Sequence, residues 1–173
     1  RARRVAEVRL APMATRLAHV RGVAATAGHL VERIDPLEAD SLVAAAKRGV
    51  DVEILIPWNS NHPTADWLAR GYFIRCLRAG IRIFGYRTMI HAKTCTVDGQ
   101  WSTIGTANLD RLSAVGNYEV NVEIYSRDLA RQMEEIYAED RSDAEEITLE
   151  SWERRPWPWK AGEKILEPLR NLM

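Results

Sequence analysis

The sequence predicts an α/β fold, a mixed β-sheet flanked by helices. Two observations carry that prediction. Strand, helix and strand signals follow one another between residues 50 and 85, which makes a βαβ unit and therefore a parallel pair. Beyond it, an Asp-Gly pair at 98–99 separates two β-branched runs, the mark of an antiparallel hairpin. A sheet holding both kinds of pair is mixed.

Taken in order, residues 12–34 carry Leu17, Val20, Ala24, Ala27, Val31 and Ile34 at three- and four-residue steps. That is the period of a helix, weakened at Gly22 and Gly28. In "DPLE" Asp35 caps, Pro36 fits the first turn and Glu38 closes a capping box. The helix stops at Gly49. "VDVEILI" (50–56) is a strand ended by Pro57, and "WNSNHP" is a loop. Thr64 caps a helix through about Ala79, and "IRIFG" (81–85) is the next strand. Residues 89–97 form another strand, and "WSTIG" returns antiparallel after the turn. "YEVNVEIYS" (118–126) alternates, with Tyr118, Val120, Val122 and Ile124 on one face. Ser126 then caps a helix to roughly Glu139. The tail "WERRPWPWK" holds three Trp, and core packing and membrane contact fit it equally. The expected division is a basic, helical segment at 1–34, a main lobe at 35–142 and a Trp- and Arg-containing tail at 143–173.

Charge cancels over the 173 residues. A global basic field of the kind that nucleic acid attracts is therefore absent. The distribution is uneven. Residues 1–34 hold seven Arg against Glu7 and Glu32, a net of +5, and residues 128–150 hold nine acids against Arg131 and Arg141, a net of −7. Cys76 and Cys95 form no CxxC pair, so neither a disulfide framework nor a zinc site is expected, and a reducing compartment is the default. Cys95, in an apolar-alternating run, reads as a small core residue. No apolar run is long enough to span a bilayer. The first residue is Arg, which points to a piece of a longer chain.

The stretch "HAKTCTVDGQWSTIGTAN" (91–108) carries chemistry. His91 and Lys93 lie two residues apart in a run that reads as strand, so their side chains share a face, about 7 Å apart along it. A buried cation needs compensation. Asp98 starts the turn, Gly105 permits close backbone approach, and the hairpin returns Asn108 toward His91 and Lys93. An imidazole, an ammonium and an amide on one patch suit a phosphoryl group.

The spacing H-x-K-x4-D-x6-G-[ST]-x-N, met by His91, Lys93, Asp98, Gly105, Thr106 and Asn108, resembles the HKD motif of the phospholipase D superfamily. Glu119, in "NYEVN", falls where that superfamily often has a carboxylate that orients the motif histidine. "LVAAAKRGVDVEILIPWNSNHP", "GYFIRCLRAGIRIFGY" and "GTANLDRLSAVGNYEVNVEIYS" are similar to the C-terminal half of bacterial cardiolipin synthases. The likeness covers about residues 35–173. It departs at 12–34, which reads as helix where that family has a strand.

The resemblance implies one lobe of a phospholipase D-like fold. It also implies phosphodiester transfer through a covalent phosphohistidine, with no metal and no cofactor. His91, Lys93, Asp98, Asn108 and Glu119 form the implied catalytic set, Asp98 by ordering the hairpin. Gly105, Thr106 and the loop residue His62 are the implied substrate contacts. An ordinary imidazole, with a pKa near ~6.5, is mostly neutral and nucleophilic at physiological pH. In-line displacement needs a second histidine as acid, and His19, His29 and His62 lack a Lys two residues on. The expected partners are a phosphatidylglycerol-like phospholipid and a second HKD lobe, from the parent chain or a homodimer. A peripheral position on the cytoplasmic side of a membrane goes with them. Nucleic acid, as the substrate of a homodimeric phosphodiesterase, is the less favoured alternative.

Overall fold

The computed structural model describes residues 27–30, 36–58, 70–88, 90–106 and 120–166. Strand β1 (Ala27–Leu30) leads to helix α1 (Pro36–Lys47) and strand β2 (Val52–Pro57). Helix α2 (Phe73–Arg78) then leads to β3 (Arg82–Tyr86). The hairpin β4 (Lys93–Val97) and β5 (Trp101–Gly105) precedes β6 (Asn121–Tyr125) and α3 (Arg127–Ser142). β7 (Ala144–Ile147), α4 (Leu149–Glu153) and α5 (Trp157–Leu166) complete the order. One sheet results, ordered β6-β5-β4-β1-β2-β3-β7. β1, β2 and β3 are parallel, and every other pair is antiparallel.

β1 corrects the helical reading of residues 12–34 at 27–30; the rest of that reading lies outside the described residues. The backbone of β1 pairs with β2 on one side and β4 on the other, and two ladders outweigh a weak helical period in a stretch that includes Gly28. The helix expected from Thr64 also differs: Gly71 and Tyr72 form a turn and α2 starts afresh at Phe73. Its stop at Gly80 holds, with a left-handed φ of 86° that a side chain would resist.

α1, α2 and α4 cover one face of the sheet. Leu42, Phe73, Cys76 and Trp152 pack there on Ile54, Ile83, Cys95 and Ile147. The Phe73 and Trp152 rings lie 5.0 Å apart. Trp152 and Ile147 therefore belong to the core, and β7 and α4 pack with the strands and helices that precede them.

α3 covers the other face, started by Ser126, whose hydroxyl accepts the Leu129 N–H at 3.3 Å. Beneath it Glu53 is 1% exposed. A buried carboxylate requires charged donors. Arg141 of α3 donates to its two oxygens at 2.7 and 3.0 Å, and Arg82 of β3 pairs with it as well. The clamp ties β2, β3 and α3 together. Burial, with the Glu53 carboxylate nearby, pushes the Tyr137 phenol well up.

β6 reverses the expected polarity. Val122 and Ile124 do share a face, but Val122 is 40% exposed, whereas Glu123 on the other face is 9% exposed.

Two outcomes test this packing. Arg141→Ala leaves Glu53 with fewer donors and is expected to cost about 1–3 kcal/mol, read as a lower urea midpoint; an unchanged midpoint would show that Arg82 suffices. Burial raises the Cys76 thiol to about 11 and pushes Cys95 up further. At pH 8 both stay protonated, so Ellman's reagent should find neither thiol in the folded chain and both in urea. Rapid labelling of the native protein would contradict the burial.

Candidate active site

The strand that presents Lys93 begins at Lys93 itself, so His91 stands just ahead of β4 rather than within a strand from 89. Lys93 continues the row of Cys95 and Val97, both core residues, and is 7% exposed. Its ammonium folds back on His91. Nζ donates to the His91 carbonyl oxygen at 2.8 Å and lies 2.8 Å from the ring Nδ1 and 3.2 Å from Nε2. An ammonium only donates, so the His91 carbonyl oxygen accepts from it. His91 is exposed. A buried cation thus fixes an accessible imidazole.

The location follows from strand direction. Leu30 is opposite Thr94 in β4 and beside Leu55 in β2, so His91 and Lys93 lie at the carboxyl ends of the parallel strands. Pro57, Trp58 and Tyr86 end β2 and β3 on the same rim, where the Trp58 N–H donates to the Tyr86 carbonyl at 2.7 Å. The Arg70 guanidinium stacks 4.7 Å above the Trp58 ring and also donates to the Trp58 carbonyl. The cavity lined by Glu53, Thr94, Thr96, Tyr137 and Arg141 is on the opposite face from Lys93 and does not belong to this site.

Gly105 is directly opposite Lys93, and Asn121 is opposite Gly105. Directly opposed residues share a face. The Asn121 amide fills the space above Gly105: a Cβ there would lie 1.8 Å from Asn121 Oδ1 and 2.4 Å from the Val120 carbonyl oxygen. Thr106 closes this end of the ladder. Its hydroxyl accepts the Val120 N–H at 3.0 Å, and its own N–H donates to the Val120 carbonyl at 3.0 Å.

The structure therefore brings His91, Lys93 and Gly105 together, with Thr106 next along β5. It does not bring Asp98 to them. Asp98 and Gly99, with φ of 54° and 59°, form the left-handed pair of the turn at the far end of β4, about 17 Å from Lys93 by strand rise. Asp98 shapes the hairpin. Asn108, Glu119 and His62 lie outside the described residues. Sequence reading missed Asn121 and Glu123, although their alternation with Val122 was visible; it assigned burial to the apolar side. It also missed the Trp58–Arg70 stack. Among the described residues no cluster of His, Cys, Asp or Glu has the arrangement to hold a metal ion, and no helix is long and apolar enough to cross a membrane.

A sheet of this topology, with an exposed imidazole held on a buried lysine at its carboxyl rim, defines a phospholipase D-like lobe. A family model described as "Cardiolipin synthase, PLD-like domain" matches residues 31–141, and the chain belongs to that family. The cardiolipin synthase of Clostridium perfringens (strain SM101 / Type A) is 38% identical over 135 residues, which is 78% of this chain and 28% of that protein. The chain thus spans little more than a quarter of that relative's length. Among solved structures, Nuc from Salmonella typhimurium, a phospholipase D family member, superposes with a TM-score of 0.68 at 23% identity, covering 78% of this chain and 88% of that one. The phosphatidylserine synthase of Haemophilus influenzae Rd KW20 superposes with a TM-score of 0.69 at 14% identity, covering 92% and 42%. These two likenesses concern the fold.

Gly105→Ala tests the geometry of the rim. The Val120 carbonyl is backbone, so the added methyl must part β5 from β6. The expected result is a loss of stability of about 1–3 kcal/mol, the scale of overpacking, with a lower Tm. A Tm equal to that of the parent would show that the strands are looser than described.

Proposed function

We propose that this lobe supplies half of an active site for phosphatidyl transfer of the cardiolipin synthase type. The observation that carries the reading is the buried Lys93 ammonium fixed against the exposed His91 imidazole at the carboxyl rim. His91 attacks phosphorus, an N–P bond forms, and the bond to the leaving glycerol oxygen breaks. A second histidine, on a lobe facing this one, protonates that oxygen. The acceptor hydroxyl then displaces His91 and gives its proton back to the second histidine. Lys93 and Asn108 hold the non-bridging oxygens, Lys93 by charge and Asn108 by its amide N–H, Glu119 orients the imidazole, and Gly105, Thr106 and His62 border the substrate. The substrate is a phosphatidylglycerol-like lipid, met peripherally on the cytoplasmic side of a membrane. The family membership supports this, as does the absence of a net basic charge.

A second reading, a homodimeric phosphodiesterase acting on nucleic acid, draws on the size match with Nuc, 88% of whose chain is covered by this one. Headgroup release and DNA cleavage assayed side by side separate the two readings.

One histidine cannot be nucleophile and acid at once. The monomer is therefore expected to be inactive, and activity to appear with a second lobe, whose histidine would sit roughly 6 Å from His91 across one phosphorus. In that assembly His91→Asn should lower turnover at least about 10³-fold, and EDTA should leave it unchanged. A fully active monomer indifferent to His91→Asn would overturn the reading, and so would activity lost to EDTA and restored by a divalent ion.

A further inference from the structure

We infer that α5 is a membrane-docking element that lies in the interface of an anionic bilayer. The three Trp of the tail do different work. Trp152 is buried in the core and carries the Arg155 guanidinium 3.2 Å above its ring. Trp157 and Trp159 are 76% and 49% exposed. Folding leaves large aromatic rings in water only at a cost, so two in one helical turn mark a contact surface.

The helix has the pattern that an interface selects. Pro158 fits its first turn. At 100° per residue its apolar positions share one broad arc, with Trp157 at one edge and Trp159 at the other. Lys160 takes the opposite arc. No other described element packs extensively on α5. Its link to the lobe is short, through α4 and the Lys160 ammonium, which donates to the Glu153 carbonyl. An amphipathic helix with Trp on its apolar side and Lys on its polar side sits at headgroup depth.

Charge selects the occupant. Residues 154–164 hold Arg154, Arg155, Lys160 and Lys164 against Glu163, four minus one, a net of +3. Helix α3 covers the opposite face of the sheet from α4 and holds Asp128, Glu134, Glu135, Glu139 and Asp140 against Arg127, Arg131 and Arg141, five minus three, a net of −2. An anionic surface therefore attracts the α5 side and repels the α3 side, which fixes which side of the lobe faces the lipid. A second copy of the chain offers no such match, because α5 would meet its own positive charge across a two-fold axis.

The choice of lipid rests on the proposed phosphatidyl transfer, but the test needs no turnover. The chain is sedimented with phosphatidylcholine vesicles and with vesicles of phosphatidylcholine plus phosphatidylglycerol. Expected is preferential binding to the anionic vesicles, weakened by salt, and at least about tenfold weaker in W157A/W159A. Both positions are exposed, so the double variant should keep the parent Tm; a melt verifies this, and W159A alone serves as a milder second variant. Vesicle binding identical in parent and variants overturns the inference. So does an absence of binding to anionic vesicles, and so does self-association that depends on Trp157 and Trp159 without vesicle binding. An inactive chain that still docks through α5 leaves the inference standing and removes only the transfer reading.

Discussion

The architecture turns on the pairing of β1. This strand of four residues joins β2 in parallel and β4 antiparallel. From it the chain builds outward in two directions, through β2 and β3 to one side and through β4, β5 and β6 to the other. Were β1 absent, the six remaining strands would form two sheets with exposed edges. At such a reversal the connections leave the carboxyl end of the sheet on opposite sides, and a crevice opens there. His91 and Lys93 stand at that point, Lys93 at the start of the first strand of the second direction and His91 just ahead of it. Their position follows from where the sheet reverses, before any property of imidazole or ammonium enters.

Legibility in the sequence follows the same division. Features with local causes could be read directly: the Asp98-Gly99 turn needs two left-handed residues, the Ser126 cap needs a hydroxyl, and Gly80 stops α2. Lys93 and Gly105 were legible because motif spacing encodes a hairpin that sets them opposite each other. What could not be read depended on distant partners. The "AGHL" of β1 has no strong strand signal and becomes a strand because two ladders await it. Val122 looked like a core residue, but the buried face of β6 is the one that continues Lys93 and Gly105, and it carries Asn121 and Glu123. Asp98 belongs to the motif by spacing, yet five residues of strand hold it away from the rim. Its place in the motif reflects the turn that returns β5 to Lys93.

The two faces of the sheet are stabilised differently. The α1/α2/α4 face is an aliphatic and aromatic core. The α3 face has Leu55 and Phe84 around a buried carboxylate clamped by Arg82 and Arg141, and Arg141 also stacks 5.6 Å above the Phe84 ring. A buried ion pair is a weak source of net stability, because desolvation offsets most of the attraction. Its value is directional: few arrangements of α3 over β2 and β3 satisfy Glu53. The clamp fixes the helix that follows β6, and β6 is the strand whose Asn121 closes over Gly105. Register at the rim is thereby coupled to a contact on the opposite side of the sheet.

Lys93 shows why the site and the fold are one problem. Its strand neighbours Cys95 and Val97 are buried, and the same alternation draws the ammonium inward. In a purely structural strand this position would be apolar, since a cation here sacrifices hydration. The structure offsets part of that loss by turning Nζ onto the His91 carbonyl and ring. A bound phosphoryl group would offset more, because its non-bridging oxygens carry the charge that neutral acceptors lack. The same contact leaves the imidazole exposed at the rim. The lysine is therefore poorly suited to an empty core and well suited to an occupied site, which is the physical content of having His and Lys two residues apart.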